Sequence, residues 1–284
     1  MTVLGPGRPP PARVGALHAA ELVEGKGTTT IAVCIPARDE ARTIGKVVST
    51  ALGLQADGLV EEVVVVDDGS SDGTARRAAA AGARVVGNPF GRGKGQALSC
   101  AVASTVADVL VFLDADVENV ARHFVVELAA PLLRDPALQM VKAAYRRPLH
   151  GRPDEGGRVT ELMARPLLDR FAPELARLSQ PLAGECAIRR TALRGLTLAD
   201  GYGIEIGLLI DVYRAHGAGA IAEVDLGERV HRNRPLRDLR SQASAVLDAV
   251  LARLYPAGEE SEPAAGAATS ASPSGASSHC SADA

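Results

Sequence analysis

Between residues 28 and 118, continuous apolar runs alternate with amphipathic segments. "TIAVCIP" (30–36) is a β-branched apolar run, and "DEARTIGKVVSTALGL" (39–54) after it carries apolar positions at helical spacing. "EEVVVVDD" (61–68), "ARVVG" (83–87) and "DVLVFLD" (108–114) read as further strands, separated by helices over "GTARRAAAAG" (73–82) and "GKGQALSCAVAST" (93–105). Strands apolar throughout, each followed by a helix, predict a mostly parallel sheet covered on both faces, a Rossmann-like half.

The remainder gives a weaker pattern. "VTELMARPLLDRFAPELARL" (159–178) is helical, "DGYGIEIGLLIDVYRAHG" (200–217) runs apolar after two glycines, and "AIAEVDLGERVHRNRP" (220–235) follows. The Gly-, Pro- and Ala-rich residues 1–27 are expected to form a flexible arm. Residues 256–284 are low-complexity and expected to be disordered. One folded domain over 28–255 is predicted, with a Rossmann-like half over 28–118 and a second, less regular half over 119–255.

Polar residues gather where the predicted strands end: "PARDE" after the first, "DDGSSDG" after the second, "DADVE" after the fourth. Ligands of open α/β sheets bind beyond those ends. Asp114 and Asp116 can present hard oxygen ligands to Mg²⁺ or Mn²⁺ with room left for substrate phosphates. The plainer alternative is a pair of loop acids, or a helix cap at Asp116 or Glu118. "GRGKGQAL" (91–98) is a glycine turn entering a helix, a phosphate-binding arrangement with Lys94 inside it, but it lacks Walker spacing. A dinucleotide fingerprint is missing after the first strand.

Composition narrows the partners. The 284 residues include 46% hydrophobic and 23% charged residues, with 31 Lys and Arg against 34 Asp and Glu, a formal charge of −3. No bulk field favours nucleic acid or a membrane, and the arginines of 229–240 lack an aromatic platform, aromatics being 3% of the chain. No apolar stretch approaches the ~18 residues of a membrane span, and the beginning of the chain lacks a signal-peptide apolar region. Four scattered cysteines without CxxC spacing predict reduced thiols and a cytoplasmic protein.

"CIPARDEARTIGKVV", "VVVVDDGSSDGT", "GRGKGQAL" and "VFLDADVE", in this order, resemble a GT-A glycosyltransferase. "GGRVTELMARPLL", "QPLAGECAIRR", "DGYGIEIGLLIDVY" and "ERVHRNRPL" narrow the resemblance to the glucosyl-3-phosphoglycerate synthases, retaining enzymes related to the mannosyl-3-phosphoglycerate synthases. It covers about residues 30 to 255 and implies a nucleotide-binding half over 28–118 and an acceptor-binding half over 119–255.

The resemblance implies a GT-A fold, UDP-glucose as donor, 3-phosphoglycerate as acceptor, a divalent metal and a homodimer. It places Pro36, Ala37 and Glu40 along the uridine pocket and Asp68 near the ribose or base. Lys94 would touch the donor, and Asp114 with Ala115 would hold its ribose or sugar. Asp116 and His231 would ligate the metal, and Glu205 would sit by the transferring glucose. Gly157, Arg158, Thr160 and Asn233 would hold the acceptor. Asp39 stands where many members carry asparagine, and Asp68 where some carry serine. GDP-mannose as donor, a sugar-nucleotide pyrophosphorylase and a non-catalytic nucleotide-sugar sensor are the competing readings.

Overall fold

The computed structural model describes residues 2–3 (backbone only), 19–147, 157–230 and 235–255. Among the described residues eight strands form one sheet: β1 (Thr2–Val3), β2 (Ile31–Ala37), β3 (Glu62–Asp67), β4 (Arg84–Gly87), β5 (Val109–Phe112), β6 (Met140–Arg146), β7 (Cys186–Arg189) and β8 (Ile221–Glu228). The helices are α1 (Ala19–Gly25), α2 (Ile44–Ala56), α3 (Thr74–Ala80), α4 (Lys94–Ser104), α5 (Arg122–Arg134), α6 (Arg165–Phe171), α7 (Ile204–His216) and α8 (Arg240–Leu254).

Alternation along the central strands explains their unbroken apolar runs. Ile31, Val33 and Ile35 of β2 enter one core layer, while Ala32 and Cys34 enter the other. Val109 and Val111 of β5 likewise oppose Leu110 and Phe112. Each face is buried, so neither set of positions can be polar.

The strand order is β1-β8-β6-β7-β5-β2-β3-β4. β2, β3, β4 and β5 are mutually parallel, as the sequence predicts. β7 is inserted antiparallel between β5 and β6, β6 and β8 are parallel, and β1 is antiparallel at the edge. The reversal of β7 positions the site. Phe112, two residues before Asp114, lies opposite Cys186, so the chain leaving β5 meets the chain entering β7. The ends of β6 and β8 reach the same edge, where the Arg229 amide bonds the Arg146 carbonyl at 3.0 Å.

Three expectations change. The predicted loose arm is corrected over 19–27, where α1 buries Leu22 and Lys26 bonds Glu61 and the Leu59 carbonyl. β6, β7, α5 and α8 were not legible as elements. The helix predicted over 159–178 is broken into a π-helical turn (Thr160–Ala164), α6 and a 3₁₀ turn (Leu175–Arg177). Pro166 has no N–H for the carbonyl four residues back, and the Arg165 amide reaches the Thr160 carbonyl instead. The tail expected over 256–284 lies outside the described residues.

Candidate active site

A cleft of about 640 Å³ opens over the carboxyl ends of β2, β3 and β5. Twelve of the sequence-derived candidates line it: Pro36, Ala37, Glu40, Asp68, Lys94, Asp114, Ala115, Asp116, Gly157, Arg158, Thr160 and Glu205. His231 and Asn233 lie outside the described residues.

The loops after β2 and β3 interlock. The Ser71 amide and hydroxyl bond Asp39 Oδ1, the Asp39 amide donates to Ser70 Oγ, and the Ala41 amide donates to Asp72 Oδ2. Asp39 has φ of 54°, a left-handed conformation that aspartate and asparagine tolerate better than other non-glycine residues. Asp68 accepts from the Gly93 amide at 3.0 Å and from Asn88 Nδ2 at 2.8 Å, so its carboxylate anchors the glycine turn entering α4.

That turn delivers Lys94 to the centre of the cleft. Its Nζ lies 2.8 Å from Asp114 Oδ1 and 2.6 Å from Glu205 Oε1, the latter in the first turn of α7. Burial alone would push the ammonium pKa down, but the two carboxylates outweigh it and hold it well above its ordinary value. Burial opposes ionisation of Asp114 too, and Lys94 and Arg229 overcome it, keeping that carboxyl below its usual range.

Arg229 follows β8 and was read from the sequence only as one of several loop arginines. Its Nη2 donates to Asp114 Oδ2 at 2.7 Å and Asp116 Oδ1 at 3.0 Å, and its Nε to Glu185 Oε1 at 2.7 Å. Glu185 is fully buried and also accepts from Tyr145 Oη at 2.8 Å, while Arg147 donates to Tyr145 Oη at 2.8 Å. Glu185, Tyr145, Arg147 and Arg229 are site residues the sequence reading missed. Their signal was the pairing itself, which requires the fold.

These side chains suit a divalent cation. Asp114 and Asp116 converge on one positively charged group, the Arg229 guanidinium. Among the described residues four carboxylates (Asp114, Asp116, Glu185, Glu205) stand against three cations (Lys94, Arg229 and, through Tyr145, Arg147), leaving one negative charge in the cluster. Both oxygens of Asp114 are engaged, whereas Asp116 is bonded through one, so Asp116 is the better ligand. No group of three or more His, Cys, Asp or Glu is arranged for a metal among the described residues. Substrate phosphates and water would complete such a site.

On the other wall, Gly157 (φ 79°) turns the chain into the helical segment that carries Arg158 and Thr160, and the Glu161 amide bonds the Gly157 carbonyl. A forked guanidinium, a hydroxyl and a helix start are groups that can hold an anion.

The model of glycosyl transferase family 2 matches residues 32–194. The glucosyl-3-phosphoglycerate synthase of Mycolicibacterium paratuberculosis is 46% identical over 248 residues, covering 82% of this chain and 75% of that protein. The synthase of Petrotoga mobilis is 39% identical, covering 81% and 74%. The crystal structure of the Mycobacterium tuberculosis synthase with Mn²⁺, UDP-glucose and phosphoglyceric acid superposes with a TM-score of 0.79 at 45% identity, covering 84% of each chain. Its complex with Mn²⁺, UDP and glucosyl-3-phosphoglycerate also gives 0.79 at 44% identity, covering 85% of this chain and 86% of that one. The chain belongs to glycosyl transferase family 2 and, within it, to the glucosyl-3-phosphoglycerate synthases.

Proposed function

We propose that this protein transfers glucose from UDP-glucose to the 2-hydroxyl of 3-phosphoglycerate, with Mg²⁺ or Mn²⁺, releasing UDP and retaining the anomeric configuration. One observation carries the reading. A cluster combining Lys94, Asp114, Asp116, Glu205 and Arg229 shares a cleft with the Gly157–Thr160 anion receptor, in a chain 45% identical to a synthase crystallised with both substrates.

Pro36, Ala37 and Glu40 line the uridine side, with Asp68 holding the glycine turn that shapes it. Asp116 would hold the metal together with His231, and the metal would neutralise charge on the departing diphosphate. Lys94 is a fixed ammonium that stabilises the same charge, and Asp114 fixes Lys94 in turn. Arg158, Thr160, Gly157 and Asn233 receive the phosphate and carboxylate of the acceptor, and positioning supplies much of the rate.

Glu205 orients sugar or acceptor hydroxyls. Lys94 and Arg229 occupy both oxygens of Asp114, and Lys94 occupies one of Glu205. Asp114 is then not poised as a nucleophile and Glu205 is held by the ammonium, which favours same-face attack guided by the leaving phosphate.

The proposal includes a single domain whose two halves meet at the cleft, a cytoplasmic location and a homodimer. Cys34, Cys100 and Cys186 are buried and free, as a reducing compartment permits. Among the described residues no helix is long and apolar enough to cross a membrane. The decisive assay offers UDP-glucose and GDP-mannose separately with Mg²⁺ and 3-phosphoglycerate, and identifies the product by mass and anomeric NMR. An α-glucosyl product from UDP-glucose is expected. Turnover of GDP-mannose alone would replace this reading with the mannosyl one.

A further inference from the structure

Two buried charges lie beneath the cleft and take no part in the chemistry above. Lys142 of β6 is 1% exposed and Glu223 of β8 is 4% exposed, and they face each other as register partners. Both bond one loop, the irregular segment 179–185 that leads into β7. Lys142 Nζ donates to the Ala183 carbonyl. Glu223 Oε1 accepts from the amides of Ser179 at 2.6 Å and Gln180 at 3.1 Å. Arg165 grips the preceding turn, donating to the Ala176 carbonyl at 2.8 Å. An apolar pair would fill the sheet face without the desolvation penalty of two ions, so the charges are there for the backbone they hold.

The loop matters because of what it touches. A Cβ on Gly184 would stand 2.5 Å from Asp114 Oδ1 and 2.6 Å from Lys94 Nζ, so its backbone abuts the charged cluster. Gln180 Oε1 is buried with no hydrogen-bond partner among the described residues, 3.9 Å from where a Cβ of Gly157 would lie. That is an acceptor oxygen lacking a donor beside the proposed receptor for 3-phosphoglycerate.

We propose that Lys142 and Glu223 are positioning residues for glucosyl transfer: gripping the loop from below, they seat Gly184 against the Asp114–Lys94 pair and hold Gln180 beside the acceptor. The proposal deepens the function given above and rests on it. The loops after β2 and β3 on the uridine side are built from other segments, so the uridine contacts do not depend on the pair.

The test compares Lys142→Met and Glu223→Leu, which remove the hydrogen bonds, with Glu223→Gln, which keeps an acceptor oxygen. In the first two, kcat should fall by about tenfold to a hundredfold, the magnitude of a small misplacement at a site. The KM for 3-phosphoglycerate should rise more than that for UDP-glucose, and the affinity for uridine measured by calorimetry should stay within about threefold, the uridine side being built by other loops. Glu223→Gln should recover most of kcat. If either single variant does not fold, the charge-balanced Lys142→Met/Glu223→Gln protein leaves no lone ion buried and should still lose kcat. Unchanged kcat and acceptor KM in folded variants overturns the inference, as does a Glu223→Gln defect as deep as that of Glu223→Leu. A parent protein inactive with UDP-glucose and 3-phosphoglycerate instead overturns the function on which it rests.

Discussion

The loops after β2 and β3 and the edge formed by β6, β7 and β8 face one cleft but are built in opposite ways. The first pair is fastened by exposed, short-range polar contacts, Asp39 with Ser70 and Ser71 and Asp72 with Ala41, over 31 or 32 residues. The second edge is fastened by buried ions, Arg229 reaching Glu185 across 44 residues and Asp114 across 115. Contacts of the first kind are individually small and close to independent. Those of the second kind are coupled, because removing one partner leaves the other charged in a low-dielectric interior.

Five measurements can break or sharpen that contrast. The largest effect is expected at the mouth of the ionic edge: Asp116→Ala should lower kcat/KM by about 10²–10³-fold or more and abolish Mn²⁺ binding measured with UDP present. Turnover at the parent rate would remove the metal role. Arg229→Met strands Glu185, which should cost about 3–5 kcal/mol in urea denaturation. A loss below about 1 kcal/mol, typical of an exposed pair, would erase the distinction between the two regions. Arg158→Ala removes a charged contact worth about 1.5–3 kcal/mol and should raise the acceptor KM by about tenfold to a hundredfold, with little change for UDP-glucose. Equal rises for both substrates would refute an acceptor-only contact.

The fourth measurement follows the pH dependence. The Asp114 carboxyl is depressed in the fold, so its stabilisation is present above its unfolded value near pH 4 and lost as pH falls through the folded value. Lys94 is raised, so its share is complete below about pH 10 and lost only above that. The stability gap between the parent and Asp114→Asn should therefore be flat from about pH 5 to 9 and close below about pH 4. A gap that varies near neutrality would assign the titration to another group. The smallest effect belongs to the exposed loops: Asp39→Ala should cost about 1–2 kcal/mol through its left-handed backbone. Asp39→Asn should stay within about 0.5 kcal/mol of the parent. An asparagine as damaging as alanine would show that charge, rather than backbone, matters there.

The same contrast decides what could be read from residues alone. β2, β3 and β5 are apolar on both faces, and the acids after them stand next to their strands in the chain, so fold half and candidate site emerged together. β6 carries Lys142 amid alanines, and β7 is the short run Cys186–Arg189 pressed between Glu185 and Arg190. α5 is interrupted by Pro131. Arg229 sits among arginines of a polar loop, and nothing in its neighbourhood distinguishes it from a solvated side chain. Its partners are distant in sequence, so only the closed sheet reveals them. Resemblance supplied Gly157, Arg158, Thr160 and Glu205, which local pattern left open.

Because β7 runs against its neighbours, one rim of the sheet gathers chain arriving as well as chain departing. Asp114 leaves one strand, Glu185 precedes another, and Arg229 leaves a third. Catalytic apparatus assembled this way is not a portable module: severing the polypeptide after residue 118 would part the acids from the guanidinium between them, and neither fragment would inherit a working half.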